Sequence, residues 1–222
     1  MTTRQSLARA WHSLTVAVIA ASVIGQLVLV VQDVGVLVDQ IGDSAPLWVR
    51  LLRFFSYFTI QSNLLAAFTA ASLITRPDRD GRTWRVLRVA ALVGMTVTFI
   101  VYVIALRPLL HLEGTAKLCD IGFHYIAPVM TVVGWLLFGP WPRIDTRSLL
   151  RHLVWPVTYL LYIFALGSRS GWYPYPFINA SLIGYGRALS NAVVIAVGLL
   201  VVAAIIRMFD AMLGGAKAQP LA

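Results

Sequence analysis

Six mostly apolar stretches, separated by short polar segments, set the pattern of this chain: residues 13–31, 54–74, 86–106, 121–138, 149–166 and 188–206. As helices rising ~1.5 Å per residue, stretches of about 20 residues match a hydrocarbon core of ~30 Å. Strong breakers lie between them. Arg76-Pro77-Asp78-Arg79-Asp80-Gly81-Arg82 reads as a polar turn, Arg107-Pro108 stops the third span, and Gly139-Pro140-Trp141-Pro142 ends the fourth. The fifth span carries Arg151, His152 and Pro156 in its first half, and a loop with Asp33, Asp39, Asp43 and Pro46 joins the first two. Arg4 and Arg9 precede the first run, as in a signal peptide, but that run exceeds the ~7–15 residues of a signal core and more spans follow. The pattern predicts an all-α polytopic membrane protein, a single bundle of six transmembrane helices over residues 1–222, with no internal repeat and no separate soluble domain.

Polar residues inside such spans need protein, water or a ligand beside them. The second span holds Tyr57-Phe58-Thr59-Ile60-Gln61-Ser62-Asn63, and Ser56, Thr59, Asn63, Ala66 and Ala70 recur at helical spacing, so they share a face. Small residues at that spacing also serve plain helix packing. In the fourth span Asp120 and His124 are four residues apart, with Pro128 one turn on. A carboxylate beside an imidazole fixes its tautomer and raises its basicity, while a core histidine bonded to a backbone carbonyl is the blander reading. The two helices enter from the same side, with Thr59 expected one and a half turns in and His124 one turn in. His12 and His152 fall at one border and His111 in a loop on the other. No ligand spacing points to a metal.

Composition narrows the class. A chain of 222 residues, 59% hydrophobic and 12% charged, with mean hydropathy +0.79, has more apolar surface than a soluble domain of this length covers. The net charge of +9 would point to nucleic acid in a soluble protein. Here it divides across the loops, 12 basic residues on the side of the termini against 6 on the other, and the positive-inside rule then makes both termini cytoplasmic. No nucleic-acid partner is expected. The single Cys119 excludes an intramolecular disulfide. Trp172-Tyr173-Pro174-Tyr175-Pro176-Phe177 reads as an aromatic belt that also roofs a lipid-accessible cleft on the side of Thr59 and His124, with Tyr159 and Tyr162 lining it or merely packing.

Three blocks, Tyr57-Phe58-Thr59, His124-Tyr125-Ile126-Ala127-Pro128 and Gly171-Trp172-Tyr173-Pro174-Tyr175-Pro176-Phe177, occur in an order that resembles the androgen-induced-protein family, which includes androgen-dependent TFPI-regulating protein and bacterial six-pass relatives. The similarity covers about residues 48–206. It implies an integral plasma (inner) membrane protein and a membrane-embedded threonine hydrolase, cleaving fatty acid esters of hydroxy fatty acids with Thr59 as nucleophile and His124 as base. Ile-Gln-Ser-Asn after Thr59 is more polar than the animal pattern, and the His-to-Pro spacing is one residue shorter. On this reading Asp120 orients His124, and Asn63 or Gln61 donates to the oxyanion. Expected partners are membrane lipids and a lipid ester substrate, with no cofactor. The rival is a non-enzymatic lipid- or ligand-binding carrier or sensor using the same polar cluster. A redox role for His124 and His111 would require a visible chromophore.

Overall fold

The computed structural model describes residues 2–34 and 45–215, so Asp39, Asp43 and the tail residue Lys217 lie outside the described residues. Its regular elements there are all helical. Six stretches are long and apolar enough to cross a membrane: Thr3–Val31, Phe58–Thr75, Arg82–Leu109, Gly114–Phe138, Thr146–Ser170 and Tyr185–Gly215. Each overlaps an expected span. The helices cluster into two compact units, one of residues 1–79 and 94–140, the other of residues 80–93 and 141–222.

In the first unit, α1 (Thr3–Val31) packs along α3 (Phe58–Thr75), α5 (Gly114–Ile121) and α6 (Ala127–Phe138). Its start is closed by a reciprocal cap between Thr2 and Gln5, which satisfies amides that no helical carbonyl can reach. Arg4 donates to the Leu137 carbonyl in the last turn of α6 at 2.8 Å, and the Trp11 indole to the Met130 carbonyl at 2.9 Å. Small residues let the backbones approach. A Cβ on Gly122 would stand 1.9 Å from Ser22 Oγ, and one on Gly25 would stand 2.7 Å from Cys119 Sγ. Between spans of equal apolarity to the lipid, such close contact is the main attraction available.

The second span departs from the sequence reading. Residues 47–55 form a separate amphipathic helix, α2 (Leu47–Phe55), which ends before α3 begins at Phe58. The Ser56 hydroxyl bonds back to the Leu52 carbonyl at 2.7 Å, and Tyr57 takes extended backbone (φ −73°, ψ 129°). Phe54 anchors α2 among Ile60, Cys119 and Phe123, while Arg50 pairs with Asp33 beyond the end of α1. Thr59 is therefore the second residue of a helix, not one and a half turns inside one, and Ser56 does not belong to its face. The fourth span also begins earlier than hydropathy suggests, at Gly114, so His124 lies well inside it. His124 is therefore further from its helix start than the single turn expected, because the polar segment 114–120 continues the helix.

The second unit holds the first part of α4 (Arg82–Val101), α7 (Thr146–His152), α8 (Val154–Ser170), α9 (Ala180–Ile183) and α10 (Tyr185–Gly215), and an ionic cluster joins the segments before and within α4 and α7. Arg85 clamps Asp80 with two bonds of 2.6 and 2.7 Å and reaches Asp145 at 2.9 Å. Asp145 caps α7 through the Ser148 amide at 2.7 Å. Asp210, buried on α10, accepts from the backbone amides of Arg143 and Ile144 at 2.7 and 2.8 Å, and it is the counter-charge of buried Arg88. Pro156 falls in the first turn of α8, where a missing amide costs no helical bond, so the fifth span continues past it. At the other end of α8 the Tyr173 ring lies flat against Gly167, whose Cβ would be 2.2 Å from it.

Two predictions follow from this packing. Gly122→Ala should lower the thermal midpoint in detergent, at an overpacking cost of about 1–3 kcal/mol, and Ser22→Gly should restore most of it; an unchanged midpoint in the single variant would overturn the close-contact argument. The hydrogen bond from Arg85 holds the Asp80 carboxyl down to about 2. Because the folded state resists protonation, this contribution is complete above the ordinary carboxylate pKa of about 4. The midpoint difference between the native chain and Asp80→Asn should hold constant above that point and close as pH falls toward about 2.

Candidate active site

In the first unit, the side chains of Thr59 and His124 meet. Thr59 Oγ1 lies 3.3 Å from His124 Nε2. On the other edge of the ring, His124 Nδ1 lies 2.9 Å from Asp120 Oδ1 and 3.1 Å from the Asp120 carbonyl oxygen. Both oxygens on that edge are acceptors, so the neutral ring carries its proton on Nδ1 and presents the Nε2 lone pair to the Thr59 hydroxyl. A fourth group closes the chain. The Tyr102 hydroxyl donates to Asp120 Oδ2, and its ring stacks on the imidazole with centroids 4.0 Å apart and planes 12° from parallel. Thr59 is 7% exposed and the His124 and Asp120 side chains 13% and 11%, so the hydroxyl and the imidazole are sheltered but not sealed.

Local sequence explains how two helices deliver these groups. Tyr102–Leu106 and Gly122–Ile126 are both π-helical turns, wider than an α-turn by one residue. In each, the amide that closes the turn reaches back five positions, Arg107 to the Tyr102 carbonyl and Ala127 to the Gly122 carbonyl. In each, a proline comes next, Pro108 or Pro128. Proline has no amide to donate and its ring crowds the carbonyl four residues back, so the helix widens ahead of it. The widened turns hold Tyr102 and His124 face to face.

Thr59 owes its position to the break at Ser56-Tyr57. As the second residue of α3 it sits in the first turn, where helix amides point outward and the macrodipole is positive. Asn63 Nδ2 donates to the Thr59 carbonyl at 2.9 Å and to the Phe123 carbonyl at 3.4 Å. It ties the Thr59 turn to the His124 turn. That is not the oxyanion-donor role the sequence suggested, since both its amide hydrogens are committed. Gln61 Nε2 donates to the Phe55 carbonyl at 3.1 Å, bracing the α2–α3 junction. Ser62 Oγ and Asn63 Oδ1, both buried, have no hydrogen-bond partner among the described residues.

The remaining expected residues lie in the second unit. Tyr159 is buried, Tyr162 is exposed, and Trp172 is half-buried. Tyr173 is buried against Gly167 and within 6.0 Å of Phe164, centroid to centroid, so its ring packs into its own unit. Among the described residues, no group of three or more His, Cys, Asp and Glu side chains is placed to hold a metal ion. Sequence reasoning missed Tyr102. The available signal was its place six positions before Pro108, the same offset as Gly122 before Pro128.

No protein-family model, curated protein or solved structure matches the chain. The geometry therefore carries the chemistry: a hydroxyl, an imidazole with its lone pair turned toward it, and a carboxylate behind the imidazole.

The ring's proton placement is directly measurable. In ¹⁵N NMR of detergent-solubilised protein, neutral His124 should show a protonated Nδ1. It should keep that tautomer in Asp120→Ala, where the backbone carbonyl at 3.1 Å still accepts. A protonated Nε2 in the native chain would leave Thr59 facing a donor and remove the basis for the site.

Proposed function

We propose that this chain is an integral membrane hydrolase of lipid carboxylic esters, with Thr59 as nucleophile and His124 as general base. One observation carries the reading: the continuous line from Thr59 Oγ1 through both ring nitrogens to the Asp120 carboxylate, with separations of 3.3 and 2.9 Å. A threonine hydroxyl is a weak nucleophile until a base accepts its proton, and only a base within hydrogen-bond reach does so.

The reaction runs in two balanced halves. Thr59 Oγ1 bonds to the ester carbonyl carbon as its proton passes to His124 Nε2. The carbonyl oxygen becomes an oxyanion, and the positive end of α3, the helix that carries Thr59, favours negative charge beside it. When the carbon–oxygen bond to the alcohol breaks, His124 returns the proton to the departing oxygen and the acyl group remains on Thr59. Water then repeats the attack, its proton taken by the same nitrogen, and the carboxylic acid leaves as Thr59 is reprotonated. Asp120 supports the imidazolium formed in each half, and Tyr102 holds Asp120 in place.

The fatty acid ester class rests on the resemblance to the androgen-induced-protein family and on the setting. Thr59 and His124 stand on helices long and apolar enough to cross a membrane, so an acyl ester reaches them from lipid. The same charge bias that orients the spans supports cytoplasmic termini in a plasma (inner) membrane, with the second and fourth helices starting from the opposite side.

Purified protein should release fatty acid from such esters. Thr59→Ala and His124→Ala should each lose at least about 10³-fold in turnover, while Thr59→Ser keeps measurable activity. Asp120→Ala should cost less, about 10²-fold, because the backbone carbonyl still fixes the tautomer. A fluorophosphonate should label Thr59 in the native chain and fail to label His124→Ala. Turnover retained without Thr59 or His124 would overturn these roles, and saturable lipid binding with no turnover would favour the carrier or sensor.

A further inference from the structure

A cleft of about 280 Å³ opens in the second unit between the start of α4 and α7. Arg82, Arg85, Arg147 and Arg151 line it, together with Asp80 and Asp145. The two carboxylates are already engaged. Asp80 is held by Arg85 and lies 3.4 Å from Arg143, and Asp145 is bound by Arg85 and the Ser148 amide. Arg82, Arg147 and Arg151 have no carboxylate partner among the described residues, and all three are exposed. Four guanidinium groups against two satisfied acids leave the cleft with surplus positive charge. Three of them keep free the planar donor fork that matches phosphate oxygens two at a time.

The surface next to the cleft is apolar. Leu150, Val154, Val157 and Leu161 follow one another at three- and four-residue spacing from α7 into α8, and all are exposed. Arg147 and Arg151 sit at the head of this strip. An anionic headgroup in the cleft would thus have a place for an acyl chain beside it, as basic residues at a membrane border commonly provide. Positive charge that only orients a loop requires neither convergence on a cavity nor acids withdrawn into pairs.

We propose that this cleft binds a phosphate group, through Arg82, Arg147 and Arg151, with Arg85 fixed between Asp80 and Asp145 as its floor. The site is independent of the hydrolase reading, and its failure would leave that reading untouched. The phosphate can arrive on a phospholipid or free in solution, and the test separates the two. The protein is held in a maltoside detergent, which carries no phosphate, and its thermal midpoint is followed as phosphatidylglycerol is added to the micelles, or as inorganic phosphate is added at constant ionic strength. At ligand tenfold above Kd, a rise of roughly 3–6 °C is expected.

A rise with phosphatidylglycerol alone assigns a lipid headgroup, and a rise with inorganic phosphate assigns a free phosphate site. Either rise should vanish in Arg147→Gln/Arg151→Gln and persist in Arg169→Gln/Arg187→Gln, whose arginines are not in the cleft. Should the glutamine pair fail to fold, Arg147→Lys/Arg151→Lys keeps the charge but loses the fork, and native mass spectrometry should show at least a tenfold loss of bound phosphatidylglycerol or phosphate. No rise with either probe, or an equal rise in cleft and control variants, overturns the proposal.

Discussion

Asp120 is a carboxylate held within a membrane-length helix, and everything around it follows from that. Its side chain is only 11% exposed, so protein must supply most of its donors. Tyr102 supplies one to Oδ2 and His124 the other to Oδ1. Each donor is in turn constrained: the tyrosine ring lies on the imidazole, and the imidazole is turned so that its free nitrogen meets Thr59. Satisfying one buried carboxyl group thus orders three side chains from three helices. The order it imposes is the one general-base chemistry needs, because it leaves the only uncommitted lone pair of the ring pointing at a hydroxyl.

Backbone irregularity does the positioning. Three departures from α geometry surround the site, the two π turns before Pro108 and Pro128 and the break at Ser56-Tyr57. Helices in lipid lose free energy for every unpaired amide or carbonyl, so such departures persist only where bonds are made good by other means. Here five-residue closures serve the π turns, and the Ser56 hydroxyl and Asn63 amide serve the break and the turn beside it. The α1 helix completes the arrangement from behind by pressing Ser22 against Gly122, the first residue of the turn that carries His124. Bulk at Gly122 would therefore be felt at the imidazole as well as in stability.

The six spans were legible because hydropathy over about 20 residues registers directly which segments lipid will accept. Thr59, His124 and Asp120 were legible as a group because polar side chains in such segments are few. The helix starts that set their positions were not, since hydropathy cannot see a helix end that costs only one extended residue, as at Tyr57, nor a helix that begins in a polar segment, as at Gly114. The partners of Asn63 were not legible either: an amide near a hydroxyl suggests an oxyanion donor, while its Nδ2 donates to the Thr59 and Phe123 carbonyls. Tyr102 was hidden among other aromatics of an apolar span, where only the proline six residues on marks it out.

The same reasoning separates two kinds of charge in this chain. Asp120 has its partners fixed by burial, so its neighbours are specified and its role is local. The arginines around Asp80 and Asp145 are at a polar border, where water could solvate each singly and no pairing is forced. There, the bidentate clamp of Arg85 on Asp80 is a choice of sequence rather than a necessity of burial. Its effect is to remove both acids from competition while Arg82, Arg147 and Arg151 stay exposed around one cavity. A loop selected only for net positive charge gains nothing from that arrangement. A loop selected to hold an anion gains a neutralised floor, three free forks and an apolar strip beginning beside Arg151.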